Sequence, residues 1–292
     1  MMGSGETGAR AVSEAALEGF ERDGYVLVPS LFDREEADLL LATAQHDRRL
    51  AAHAVGWPDD QGGLSKITLW NHPGDDIYGM VARSARLVEA MTRLLGGEVY
   101  HYHSKLMLKE PEVGGAWCWH QDYGYWYQNG CLYPLLASAF IALDPATREN
   151  GCLQVLKGSH RVGRIEHQVM AGQLGADPEH VDAAKARHEL VHMEMQPGDT
   201  AFFHCNLLHC SSQNRSAKPR WTLICCYNAR ANDPYKPSQH PGYTPLTAVP
   251  DEMVKAYGHR TSTADQVFMS VDDDVSEERA TARAEARRAA GE

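Results

Sequence analysis

The 292-residue chain carries 39 acidic against 28 basic residues, a formal net charge of -11. That balance argues against nucleic acid or an anionic membrane surface as the main partner. Hydrophobic residues at 43% and charged residues at 23% are ordinary globular values and exclude wholesale disorder. Seven cysteines, an odd number with no Cys-x-x-Cys and an adjacent Cys225-Cys226 pair, read as reduced small hydrophobes rather than a disulfide framework.

Residues 1–12 read as a loose leader without the apolar run of a signal peptide. Ser13 opens a helix with Ala15, Leu17 and Phe20 at helical spacing, closed by Asp23-Gly24. Tyr25 to Val28 reads as a short strand, Asp33 caps a second helix from Arg34 to about Asp47, and a third spans 81–95 before Gly96-Gly97. From about residue 99 the pattern becomes short apolar or alternating runs at 99–109, 115–120, 135–143, 152–157, 190–195, 200–205 and 220–227. A helix over 177–187, starting at Asp177-Pro178, interrupts them. The final stretch, 271–292, holds 7 acids and 4 Arg with almost no large apolar residue and reads as a solvated tail.

The expected fold is therefore mainly β with flanking helices, a barrel or sandwich, in one domain over 13–270. The longest mostly apolar run, 132–143, is too short to cross a bilayer, so the expectation is a soluble, cytoplasmic protein with no membrane or nucleic-acid partner.

The chemistry concentrates in two stretches. His120-x-Asp122 on an extended segment presents an imidazole and a carboxylate on one face. The later run from Gly198 adds His204 and His209 as candidates for a third ligand. Two imidazoles and one carboxylate form the facial triad of non-haem Fe(II) oxygenases, and the soft cysteine ligands typical of structural zinc are absent from the immediate site. Arg220 opens the apolar run 221–227. A guanidinium entering a buried strand needs an anion, and its planar fork suits a dicarboxylate. A non-catalytic barrel binding metal or a small molecule, or a zinc hydrolase, would need no such clamp.

Taken together, His120-x-Asp122, Glu149-Asn150-Gly151-Cys152-Leu153, Lys157-Gly158-Ser159-His160, Gly198-Asp199 and His209-x-Ser211-x-x-Asn214-x-Ser216-x-x-x-Arg220 resemble the phytanoyl-CoA dioxygenase family. The entry Phe20-Glu21-Arg22-Asp23-Gly24-Tyr25-Val26 belongs to the same pattern, and the resemblance covers about residues 16–228. It implies a double-stranded β-helix, a jelly-roll, cupin-like core beginning near residue 99. It also implies Fe(II), 2-oxoglutarate and O2 as cofactors, with hydroxylation of a substrate and release of succinate and CO2. Family spacing selects His209 over His204, giving His120, Asp122 and His209 as the catalytic metal set, with Arg220 and Ser211 on 2-oxoglutarate. Asp122 occupies the ligand position a halide would need, which favours hydroxylation over halogenation.

Within the family the chain is most similar to ectoine-hydroxylase-like bacterial members, in which an aromatic follows the first metal histidine by six residues, here Trp126. His103 stands where those enzymes carry a glutamine facing the cosubstrate, so either His103 or Lys105, which share a strand face, meets its C1 end. Tyr123, Tyr125 and Trp126 are the expected substrate contacts, within an aromatic cluster with Trp117, Trp119, Tyr127 and Tyr133 that is expected partly to fill core space and partly to wall the substrate pocket. The expected substrate is a small polar or amino-acid-like metabolite. An acyl-CoA is the alternative, disfavoured because the acidic balance offers no basic patch for its phosphates. The oligomeric state is left open.

Overall fold

A computed structural model describes residues 12–170, 173–261 and 267–268; the expected charged tail and all but the last residue of the leader lie outside them. The first helix, α1 (Glu14–Asp23), is capped by the Ser13 hydroxyl, which accepts from the Ala16 amide, and ends where Gly24 turns to φ 81°. β1 (Tyr25–Val28) follows. In α2 (Arg34–His46) Asp33 and Glu36 form a capping box. Asp47, expected as its last residue, instead caps a separate helix, α3 (Arg48–Ala52).

A hairpin absent from the sequence reading comes next, β2 (Val55–Pro58) and β3 (Leu64–Trp70). The single helix expected over 81–95 is two, α4 (Ile77–Arg83) and α5 (Ala85–Leu94). Ser84 leaves helical geometry between them and turns its hydroxyl back to the Val81 carbonyl.

The rest of the core is β4 (Val99–Lys109), β5 (Trp117–His120), α6 (Asp122–Trp126), β6 (Leu136–Ala142), β7 (Leu153–Leu156), β8 (His167–Met170) and β9 (Gln173–Ala176). It continues through α7 (Pro178–Lys185), β10 (Leu190–Met193), β11 (Thr200–His204), β12 (His209–Ser211) and β13 (Arg220–Ala229). The helix expected over 177–187 is α7, with Asp177 as its cap and Pro178 at its first turn.

Seven strands form one sheet in the order β1-β11-β6-β13-β4-β3-β2, and four form a second, β10-β7-β12-β5. Every ladder between the strands is antiparallel. This is the expected mainly β jelly roll with helices on its flank. Its apolar residues fall into three layers. One, with Leu223, Cys225 and Tyr227, lies between the large sheet and the N-terminal helices. The next, with Ile224, Cys226, Phe140 and Phe203, lies between the sheets. The third, with Leu156, Val181 and Leu208, lies under α7.

The alternation along β13 explains the adjacent cysteines. A strand covered on both faces is apolar throughout, and Cys225 and Cys226 fill opposite layers as free thiols.

Candidate metal centre and active site

The inner face of the large sheet is built in rows by the β13–β4 register. Lys109 lies opposite Arg220, Met107 opposite Thr222, Lys105 opposite Ile224 and His103 opposite Cys226. A bulge between Cys226 and Tyr227 follows the last pair, so the adjacent rings of Tyr102 and His103 come within 5.2 Å of each other. The small sheet faces these rows, and its β12–β5 ladder sets His209 directly opposite His120.

His120 ends β5, and Gln121 keeps an extended backbone (φ -118°, ψ 134°) before α6 begins at Asp122. Asp122 therefore opens a helix rather than continuing the strand, yet the extended Gln121 still returns the carboxylate to the histidine's side. One ligand atom from each of His120, Asp122 and His209 lies within 4.8 Å of the others, and all three residues are buried.

The backbone fixes both imidazoles. His120 Nδ1 donates to the Cys118 carbonyl at 2.8 Å and His209 Nδ1 to the Leu207 carbonyl at 2.9 Å, which leaves both Nε2 lone pairs for a metal. Burial pushes both rings below the ordinary histidine range and keeps them neutral. Asp122 Oδ2 accepts from Ser138 at 3.0 Å, and the Lys105 ammonium stands 3.8 Å from Oδ1. Two neutral imidazoles and a carboxylate in one buried cluster fit an Fe(II) facial site.

A cavity opens beside the triad, with Lys105, Tyr125, Ser211 and Arg220 in its lining. Arg220 is fully buried. Its Nη1 donates to the Gly151 carbonyl at 2.6 Å, its Nη2 approaches the Met107 sulfur at 3.3 Å, and its Nε has no partner. Burial without a facing anion pulls its pKa down to about 10. Lys109 is buried beside it, donates to the Ser212 carbonyl, and is pushed well below the lysine range by burial and then by Arg220. A desolvated guanidinium at one end of the cavity, with a buried lysine paired to it across the ladder, fits one carboxylate of a dicarboxylate. Lys109 escaped the sequence reading because a lysine closing a strand is ordinarily a surface residue.

The remaining motif residues build the frame. Gly151 has φ 74°, and a Cβ there would sit 2.1 Å from the Ser212 oxygen, so only glycine can present its carbonyl to Arg220. Ser159 Oγ accepts from Leu208 N at the entry to β12, and Asn214 Nδ2 donates to the carbonyls of Lys109 and Lys218. Asp199 accepts from Ser30 N and Gln196 N. His204 lies outside the cavity lining, with its Nδ1 accepting from Asn206 N and its ring 5.4 Å from His160.

The expected cosubstrate and substrate residues separate. Lys105 reaches the cavity, whereas His103 is buried against Trp126 and His240. Tyr125 lines the cavity with Trp117. Trp126 packs on Tyr102, and Tyr123 donates to the Cys131 and Leu132 carbonyls; neither lines the cavity.

The chain matches the family described as Phytanoyl-CoA dioxygenase (PhyH) over residues 20–222. It is 33% identical to an L-proline trans-4-hydroxylase of Streptomyces griseoviridis, covering 58% of this chain and 69% of that one. It is 29% identical to an ectoine dioxygenase of Bordetella parapertussis, covering 77% and 78%. In structure it resembles EctD from S. alaskensis with 2-oxoglutarate and 5-hydroxyectoine (TM-score 0.69, 26% identity, 85% of this chain and 92% of that one). It also resembles the same protein with bound Fe (TM-score 0.65, 26% identity, 89% of each chain).

Proposed function

Because the chain belongs to the phytanoyl-CoA dioxygenase family, we propose that its buried His120–Asp122–His209 cluster holds Fe(II) and that the adjoining cations hold 2-oxoglutarate. The protein is a non-haem iron, 2-oxoglutarate-dependent dioxygenase. With 2-oxoglutarate as co-reductant, bound Fe(II) supplies O2 activation, yielding succinate, CO2 and a hydroxylated product.

The observation that carries the assignment is Arg220, a fully buried guanidinium with no ion-pair partner among the described residues, in the same cavity as the triad. Arg220 and Lys109 take the distal carboxylate of 2-oxoglutarate, and Ser211 supports that end from the facing sheet. Lys105, two inward rows nearer the triad, is left to meet a second anionic group. We assign it the carboxylate of a small amino-acid-like substrate, with Trp117 and Tyr125 as the apolar wall. Both relatives named above act on compounds of that kind, proline and ectoine by their names.

The surrounding side chains position the reactants and exclude water. Neutral His120 and His209 keep their tautomers through backbone carbonyls, and the two closed sheet faces shield the reacting centre. Among the described residues no helix is long and apolar enough to cross a membrane.

The test is incubation of the protein with Fe(II), ascorbate, 2-oxoglutarate and either L-proline, ectoine or a metabolite extract, followed by mass spectrometry. The reading expects a product one oxygen atom heavier, matched by succinate. Succinate release that no tested compound stimulates would remove the substrate class while leaving the reaction class standing.

A further inference from the structure

Strand β6 reads Leu-Ala-Ser-Ala-Phe-Ile-Ala, and all seven residues are buried. Ser138 is its one polar side chain, flanked by alanines, at 0% exposure in the middle of the large sheet. A hydroxyl in such a place costs free energy unless it is hydrogen-bonded, and alanine would fill nearly the same space. Its partner is Asp122, whose Oδ2 accepts from Ser138 Oγ at 3.0 Å across a separation of 16 residues. On the other side the Cys226 sulfur lies 3.4 Å from the same oxygen, placed there by the register pairing Cys226 with Ser138. Burial holds that thiol protonated, so it can donate to Ser138 while Ser138 donates onward to the carboxylate.

We propose that Ser138 is a positioning residue for the metal centre: by occupying Asp122 Oδ2 it leaves Oδ1 as the oxygen offered to the metal and fixes the carboxylate's rotation. The inference rests on the reading that His120, Asp122 and His209 bind the metal. Lys105 makes the constraint necessary. Its ammonium, 3.8 Å from Oδ1, attracts the oxygen offered to the metal and would turn an unheld carboxylate toward itself. Ser138 opposes that rotation through a hydrogen bond from a fully buried strand paired on both sides. Partners of this kind, one shell beyond the ligands, are worth roughly 10- to 100-fold in metal affinity.

The test is anaerobic titration of cobalt(II) alone into wild type, Ser138→Ala and Ser138→Cys, reading affinity and the visible ligand-field spectrum, with circular dichroism and a melting curve as fold controls. Ser138→Ala should bind cobalt about tenfold more weakly, with a changed spectrum. Ser138→Cys keeps the shape but offers only a weak S–H donor. It should show the same change, and it decides the matter if the alanine variant does not fold. Wild-type affinity and spectrum in a folded variant would overturn the proposal, even if its melting temperature fell, because Ser138 would then be a packing residue. A wild type that binds no cobalt would overturn the triad itself, and the proposal with it.

Discussion

Arg220 shows how one side chain ties sequence, burial and chemistry together. It opens β13, lies fully buried, and spends its hydrogen bonds on the Gly151 carbonyl and the Met107 sulfur, leaving Nε unmatched. A bidentate carboxylate would satisfy the fork in a way a point charge cannot. Arg220→Lys keeps the charge and loses the fork, so 2-oxoglutarate should bind about 10- to 100-fold more weakly, on the order of 1.5–3 kcal/mol. Iron affinity should stay unchanged. Calorimetric titration of 2-oxoglutarate into the anaerobic Fe(II) protein checks this, and an unchanged dissociation constant would remove Arg220 from the cosubstrate site.

The triad candidates were legible as a His-x-Asp pair on one strand face plus a downstream histidine, although choosing His209 over His204 needed the family spacing. Arg220 was legible because a guanidinium opening an apolar strand needs an anion. Lys109 and Ser138 were not legible. A strand-end lysine and a serine within an apolar run are both common without any function, and only the tertiary pairing shows what they face.

At the scale of elements, the caps were readable where local hydrogen bonding decides them, as at Ser13, Asp33 and Asp177. The strand runs from 99 onward were readable for the same kind of reason: β6 and β13 are covered on both faces and carry continuous apolar sequence. What escaped were pieces held by tertiary contacts. The β2–β3 hairpin has glycine and proline in its first strand, β12 is three residues long, and the break at Ser84 lies inside a helical pattern.

The Gly151 turn is where a local conformation serves the site most directly. Gly151→Ala would force a Cβ against the Ser212 oxygen at a positive φ, costing about 1–3 kcal/mol. It should also weaken 2-oxoglutarate binding, because the strained turn carries the carbonyl that orients Arg220. Denaturant unfolding and cosubstrate titration measure the two effects separately. Lost stability with unchanged cosubstrate affinity would reduce Gly151 to a turn residue.

Across the whole molecule, the histidine content becomes a stability property. Burial pulls His101 and His240 down to about 3 and His167 to about 4 from an ordinary 6.5. His167 shows why protonation is resisted. Its Nδ1 donates to the Ile165 carbonyl and its Nε2 accepts from Gln121 N, so the neutral ring is fully satisfied. Because the folded pKa values lie below the unfolded ones, their contribution is complete above about pH 6.5. It is lost as pH falls toward the folded values, at about 1.4 kcal/mol per unit for each ring. Denaturation midpoints should therefore drop steeply between pH 7 and pH 5, on the order of several kcal/mol in total. A flat profile over that range would show that these rings are protonated in the folded protein.

The proposed hydroxylation requires a metal held by His120, Asp122 and His209 with 2-oxoglutarate beside it. The most direct measurement is the visible metal-to-ligand absorption band on anaerobic addition of 2-oxoglutarate to the Fe(II)-loaded protein, compared with His209→Ala and His204→Ala. The band should saturate with a single cosubstrate per chain in wild type, persist in His204→Ala and vanish in His209→Ala. No band in the wild type, or loss with His204 and retention without His209, would contradict it.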